Sequence, residues 1–138
     1  MKTIHLDIVT PDGSAFSGDV ESVVIPAWEG QMGILPGREP IIAVLNAGEL
    51  RYRHDGKEEL MAVSGGFAQV DHKKIVVLAE TAELARQIDE ARAKAKAEEK
   101  QQALKGVSQV DEGSIVAMQA SLLKELIRIK VAEKYRKG

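Results

Sequence analysis

The chain has 138 residues, 44% of them apolar and 29% charged, which suits an ordered domain of about 80 residues plus an appendage and disfavours disorder. It contains no cysteine, so disulfide frameworks, thiol catalysis and cysteine-ligated zinc are excluded. Nineteen basic against 21 acidic side chains leave a net charge of -2, too even for a chain that coats nucleic acid along its whole surface. Met1 to Asp7 lack signal-peptide and transit-peptide patterns. No window approaches the roughly 18 consecutive apolar residues of a membrane span. The expectation is a protein without direct membrane insertion, reaching a membrane only through a partner.

In chain order, Ile4, Leu6 and Ile8 alternate with Thr3, His5 and Asp7, the period of a strand with one buried face. Further short runs at Val20 to Ile25, Ile41 to Leu45, Glu49 to Arg53, Leu60 to Val63, Gly66 to Val70 and Ile75 to Leu78 are each bounded by turn residues. Asp55-Gly56 predicts a two-residue hairpin turn, and Asp71 to Lys74 a second turn. Many short strands without helices between them predict an antiparallel β-sandwich or barrel. Glycine-rich Gly30 to Gly37 fits no phosphate-binding loop. It reads either as tight turns or as a protruding loop whose Met32 and Ile34 contact a partner.

Near residue 81 the composition changes. All four prolines and nine of the 12 glycines precede it, and alanine, lysine and glutamate dominate after it. The first part carries seven basic and 12 acidic residues, the second 12 basic and nine acidic. The boundary therefore falls at 1–82 for the sandwich and 83–138 for a helical hairpin, with helices over about 83–105 and 111–135. Leu84, Ile88, Ala91 and Ala95 form the predicted apolar stripe of the first helix; Gly106 ends it. Ser108, Asp111 and Ser114 are candidate caps for the second helix. Its stripe of Ile115, Met118, Leu122, Leu126 and Ile129 is widened by Val116, Leu123, Ile127 and Val131, more apolar surface than an alanine-faced partner covers.

Little in the sequence points to catalysis. His5, His54 and His72 are scattered and lack metal-ligand spacing. The helical carboxylates Glu83, Asp89, Glu90, Glu98 and Glu99 read as solvated or as ion pairs such as Glu90 with Lys94. No Ser-His-acid set emerges from spacing alone. A binding or regulatory protein is favoured over an enzyme.

Six segments then appear in a specific order and spacing: His5 to Val9, Phe16-Ser17-Gly18 with Val20-Glu21, Glu29 to Gly37, Ser64 to Phe67, Val77 to Ala82, and Ile88 to Ala93. Along essentially the whole chain they resemble the epsilon subunit of bacterial F-type ATP synthase. The resemblance implies a non-catalytic central-stalk subunit of a proton-translocating rotary motor, peripheral on the cytoplasmic face of the plasma membrane. Its sandwich would clamp the gamma subunit and rest on the c-subunit ring through Glu29, Gly30, Gln31, Met32 and Arg38. The family usually has histidine where this chain has Arg38, which alters the charge and pH behaviour of that contact. The hairpin would be inhibitory when extended along gamma into the alpha/beta catalytic hexamer, with Lys124, Arg128, Lys130, Lys134 and Arg136 facing acidic surface there.

Members that bind ATP do so through a motif matched here by Ile88, Asp89, Arg92 and Ala93, with Lys124 and Arg128 on the second helix. Glu99 stands where those members carry a further arginine, so ATP is expected as a weak regulatory ligand, no cofactor being required. An Asp89–Arg92 ion pair is the structural alternative. Two other readings compete: a free-standing nucleotide-sensing module, and a nucleic-acid binder using the basic tail, which lacks interleaved aromatics.

Overall fold

The computed structural model describes residues 2–37, 40–106 and 112–138. Two compact units divide the chain, Met1–Ala85 and Arg86–Gly138. The first holds eight strands: β1 (Ile4–Thr10), β2 (Gly13–Val20), β3 (Ser22–Ala27), β4 (Gly30–Ile34), β5 (Ile41–Leu45), β6 (Gly48–His54), β7 (Lys57–Val70) and β8 (Lys74–Leu84). A single 3-10 turn, Ala85–Gln87, precedes the helices α1 (Glu90–Lys105) and α2 (Glu112–Lys137).

The strands run in the order β2-β1-β8-β7-β5-β3-β4, with β6 pairing both β3 and β7. Among the described strands only β1 and β8 pair in parallel. The β7 strand is the hinge of the arrangement. Its residues 57–63 pair with β6 and its residues 66–70 with β5, so β3, β6, β7 and β5 close a circuit around the core. The change of partner occurs at Gly65-Gly66, both at positive φ. At Gly66 a Cβ would lie 1.8 Å from the Leu78 carbonyl oxygen, so the two backbones meet where only glycine fits. Alternation places Ile4, Leu6, Ile8, Val23, Ile25 and Val77 in one buried cluster with Leu50, Met61 and Ile75.

The expected sandwich followed by a helical hairpin is present, with several corrections to its parts. Leu60–Val63 and Gly66–Val70 are one strand rather than two. The β2 and β4 strands carried no apolar alternation to reveal them, being largely exposed edge strands. Asp55 and Gly56 have φ of 52° and 76°, the pair of positive values that the predicted hairpin turn requires. The Asp71 carboxylate accepts from the Lys73 and Lys74 amides at 2.8 Å each, closing the second turn.

The first helix starts later than predicted. Ala82, Glu83 and Leu84 pair with Val63, Ala62 and Met61 of β7, and this long-range pairing overrides their helical propensity. The unit boundary moves accordingly from 82 to Ala85, and α1 begins at Glu90 behind an Asp89 cap. The phase of its buried face shifts too: Ala93 and Ala97 are buried, whereas Ala91 and Ala95 face out. Gly106 caps the helix as expected. On α2, Val131 and Ala132 are buried, but Val116, Leu123 and Leu126 of the predicted stripe remain exposed. Ser108 and Asp111 lie outside the described residues, and Ser114 sits inside α2 rather than capping it.

Candidate interaction surfaces

The sandwich buries one side of its strands and leaves an apolar row on the other. Register places Val9 beside Leu78, Leu78 beside Phe67, and Phe67 beside Val44, so one line crosses β1, β8, β7 and β5. Phe67, Leu78 and Val44 are about half exposed, and Ile42, two residues along β5, is 72% exposed. A contiguous patch of this kind on a small domain is a candidate interaction surface. The sequence contained a signal for it. Ile41 to Leu45 is an unbroken apolar run, the mark of a strand covered on both faces.

The row continues into the β3–β4 turn. The Trp28 amide donates to the Val44 carbonyl at 2.9 Å and the Asn46 amide to that of Pro26 at 2.8 Å. The Asn46 side-chain amide donates to the Trp28 carbonyl at 3.4 Å. These bonds fasten the base of the turn to β5. From that base Trp28, 71% exposed, Glu29, Gly30 and Gln31 project outward. Sequence reasoning singled out Glu29 to Gln31 but missed the lone tryptophan beside them. Met32 is only half-buried and packs against the core, and Ile34 is wholly buried. Ile34 is therefore a core residue and not a partner contact, because it falls on the inward phase of β4. Arg38 lies outside the described residues.

The candidate nucleotide residues fall on both helices, Ile88 to Ala93 at the start of α1 and Lys124 and Arg128 on α2. Asp89 Oδ1 accepts from the Arg92 backbone amide at 3.0 Å. Its carboxylate thus caps α1 rather than forming the ion pair with the guanidinium weighed as the alternative to a nucleotide site. Ile88 is half-buried ahead of the helix, Arg92 is exposed, and Ala93 is buried. On α2, Lys124 is exposed, while Arg128 donates to Glu125 at 2.6 Å. Interhelical pairs between Arg136 and Glu90, Lys94 and Glu133, and Lys100 and Glu125 set the register of the hairpin. In that register Arg128 lies roughly opposite Glu98, six residues or about 9 Å along the axis from Arg92.

The tail cations are likewise divided. Lys124, Lys130 and Lys134 are exposed, whereas Arg136 meets Glu90 at 3.3 Å. Glu90 also takes Lys94 at 3.0 Å, the predicted pair. Hydrogen bonds from Lys94 and then Arg136 hold the Glu90 carboxyl below its ordinary value, against some burial.

Folding also assembles a polar cluster that spacing did not reveal. His5 Nδ1 lies 3.1 Å from Asp19 and its Nε2 3.1 Å from Asp7. Ser17 Oγ donates to Asp7 at 2.7 Å, and Lys74 pairs with the other Asp7 oxygen at 3.1 Å. Cross-strand neighbours on β1, β2 and β8 supply all five groups. The hydrogen bond from Ser17, followed by that from Lys74, lowers the Asp7 carboxyl to about 2. His5 is raised, chiefly by its bond with Asp19 and in spite of burial. With its carboxyl held this low Asp7 is a weak base, and the shared hydrogen bonds tie β1 to β2. Among the described residues no cluster suits a metal ion, and no helix is long and apolar enough to cross a membrane.

Comparison with known proteins agrees with this arrangement. Residues 3–85 match the family model of the ATP synthase delta/epsilon chain β-sandwich domain. The chain is 45% identical over 132 residues to the ATP synthase epsilon chain of Desulforamulus reducens, covering 96% of this chain and 98% of that one. It is 42% identical over 134 residues to the ATP synthase epsilon chain of Bacillus subtilis, covering 97% and 100%. Among solved structures, a chain of the Euglena gracilis mitochondrial ATP synthase, in an assembly of OSCP, F1 and c-ring, shares the fold. Its TM-score is 0.72 at 23% identity, over 98% of this chain and 80% of that one. With the sandwich matched across its length and relatives aligned into the helical hairpin, the chain belongs to the ATP synthase epsilon-chain family.

Proposed function

We propose that the protein is a non-catalytic subunit of the central stalk of a proton-translocating ATP synthase, joining gamma to the c ring and restraining ATP hydrolysis through its hairpin. The apolar row of Val44, Phe67 and Leu78, continuous with the Trp28 turn, carries this reading. Two adjoining contact areas are what a stalk subunit between gamma and the c ring needs, with Glu29, Gly30 and Gln31 meeting polar loops of the ring. The solved relatives lend support, since they come from assemblies described as F1/c-ring and central stalk/c-ring. The protein then sits peripherally on the cytoplasmic face of the bacterial membrane, held there by its partners.

For the hairpin, the exposed Val116, Leu123 and Leu126 supply an uncovered apolar face, and Lys124 and Lys130 add exposed positive charge. Extended, this helix would meet the alpha/beta hexamer. ATP fits as a weak regulatory ligand at most, because Asp89 is committed to its cap, Arg128 to Glu125, and Glu99 is an exposed carboxylate.

Truncation after Gln87, beyond the buried Ala85, tests the inhibitory role. The truncated chain should assemble and sustain ATP synthesis while the complex hydrolyses ATP faster. Unchanged hydrolysis would reject the inhibitory reading. Failure of the full chain to co-purify with an α3β3γ complex would favour the nucleotide-sensing module instead.

A further inference from the structure

Among the described residues Glu125 is the one buried charged side chain, 3% exposed, midway along α2. A carboxylate withdrawn from water persists as an ion only when cations meet it. Two do. Lys100 Nζ reaches across from α1 to Oε2 at 3.2 Å, and the Arg128 guanidinium, one turn along α2, holds Oε1 at 2.6 Å. Burial pushes the Glu125 carboxyl up, but the hydrogen bonds from Arg128 and Lys100 outweigh it and keep the group below its ordinary value.

The apolar contacts around it define register poorly. The side chains that α1 buries are the methyl groups of Ala93 and Ala97. Sliding α1 by one turn keeps an alanine at one of the two buried positions and brings Gln101 or Asp89 to the other, so the apolar area at stake is that of a single methyl group. The interhelical pairs of Lys94 with Glu133 and Arg136 with Glu90 have basic partners that are half or more exposed, where screening weakens them. Among the described residues Glu90 too has a partner on each helix, Lys94 and Arg136, but its side chain is 22% exposed against 3% for Glu125, so the Glu125 site is the one where a fully withdrawn carboxylate depends on both helices. A slipped register would leave its carboxylate buried without Lys100.

We propose that Glu125, gripped by Lys100 and Arg128, is a register clasp that makes closure of the hairpin conditional on one charge contact. When the helices part, Arg128 stays with Glu125 on α2, Lys100 departs, and water replaces it on Oε2. Rehydration of the carboxylate on opening offsets the broken Lys100 ion pair, so the clasp specifies the closed register without locking it. A leucine at this position would hold the hairpin shut on apolar area alone. The inference rests on the proposed mobility of the hairpin.

The test uses the full chain. As the sequence lacks cysteine, nitroxides on Ala91→Cys and Lys137→Cys, both exposed, report the distance between the open ends of α1 and α2 by pulsed electron resonance. Wild type should give a predominantly short distance. E125Q and K100M should each raise the long-distance population at least about tenfold. The combined variant K100M/E125M/R128M, which removes all three charges of the site, should restore the short distance. Wild-type distributions in both single variants would overturn the clasp. Should E125Q lose helical circular dichroism, the combined variant decides: recovery supports the clasp, and continued loss overturns it. ATP hydrolysis by the reconstituted complex carrying E125Q is read separately. A shifted distance with unchanged hydrolysis keeps the clasp and rejects the inhibitory reading.

Discussion

Phe67 stands at the centre of the exposed row, 55% exposed, flanked in register by Val44 and Leu78. Burying a whole phenylalanine side chain is worth about 1.5–3 kcal/mol, so covering the half still in water yields roughly 1 kcal/mol on docking. Phe67→Ala should therefore weaken binding to a gamma-containing complex about fivefold. Replacing Val44, Phe67 and Leu78 together by threonine, which keeps β propensity, removes at most about 3 kcal/mol, or on the order of a hundredfold. The figure is an upper value because neighbouring side chains share buried area. All three side chains lie outside the core cluster, so the thermal midpoint of the free protein should barely move. Titration of α3β3γ with labelled chain, alongside a thermal melt, measures both. If the triple variant binds as tightly as wild type while folding normally, the row is not the docking surface and the stalk assignment loses its carrying observation.

Two further perturbations address the scaffold. Gly66→Ala should cost more than about 3 kcal/mol, lowering the sandwich's midpoint by about 15 °C or preventing folding. The added Cβ meets the Leu78 backbone at 1.8 Å with φ at 151°. Gly13→Ala, at φ 122° with nothing within 4 Å, isolates the conformational part and should be distinctly milder; equal losses would contradict the close-approach argument. The polar cluster makes stability depend on pH at both ends. Asp7, lowered to about 2 from an ordinary 3.8, stabilises the fold above pH 3.8, and that contribution disappears as pH falls toward 2. His5, raised above 6.5, contributes fully below pH 6.5 and loses its contribution as pH rises through its higher folded value. Ser17→Ala removes the largest influence on Asp7, so the Asp7 carboxyl should titrate higher by NMR and acid unfolding should begin at higher pH. An unchanged titration would remove Ser17 from that role.

What could be read from the sequence was whatever local chemistry dictates. Ile4, Leu6 and Ile8 announced β1, Asp55-Gly56 announced the β6–β7 turn, and Gly106 announced the end of α1. What escaped depended on distant partners. Ala82 to Leu84 look helical in isolation and become strand because β7 offers unsatisfied backbone groups beside them. The edge strands β2 and β4 bury too little to show a period. The His5 cluster joins residues up to 69 positions apart, from His5 to Lys74, which only register can bring together. Of the contact surfaces, the turn at Glu29 was legible through its glycines, while Phe67 and Leu78 looked like ordinary strand residues until their faces were known.

The charges of the hairpin bear on how an inhibitory arm could work. Had all five tail cations been free, extension toward an acidic surface would have been a simple electrostatic gain. Instead Arg128 and Arg136 already hold Glu125 and Glu90 in the closed hairpin, and Lys124, Lys130 and Lys134 are exposed, the last of these engaged in an interaction of its own. Arg128 keeps Glu125 three residues away on its own helix when α1 departs, so its charge stays largely compensated in the open state. Arg136 does not, because its partner lies on α1. Extension thus exchanges the Arg136 pair for a new one and adds Lys124 and Lys130 outright. The net preference is a small difference that ionic strength can move, and it is weighed against the uncovered Val116, Leu123 and Leu126. A strong, salt-insensitive inhibition would therefore have to come from the apolar ridge of α2 and not from its charges.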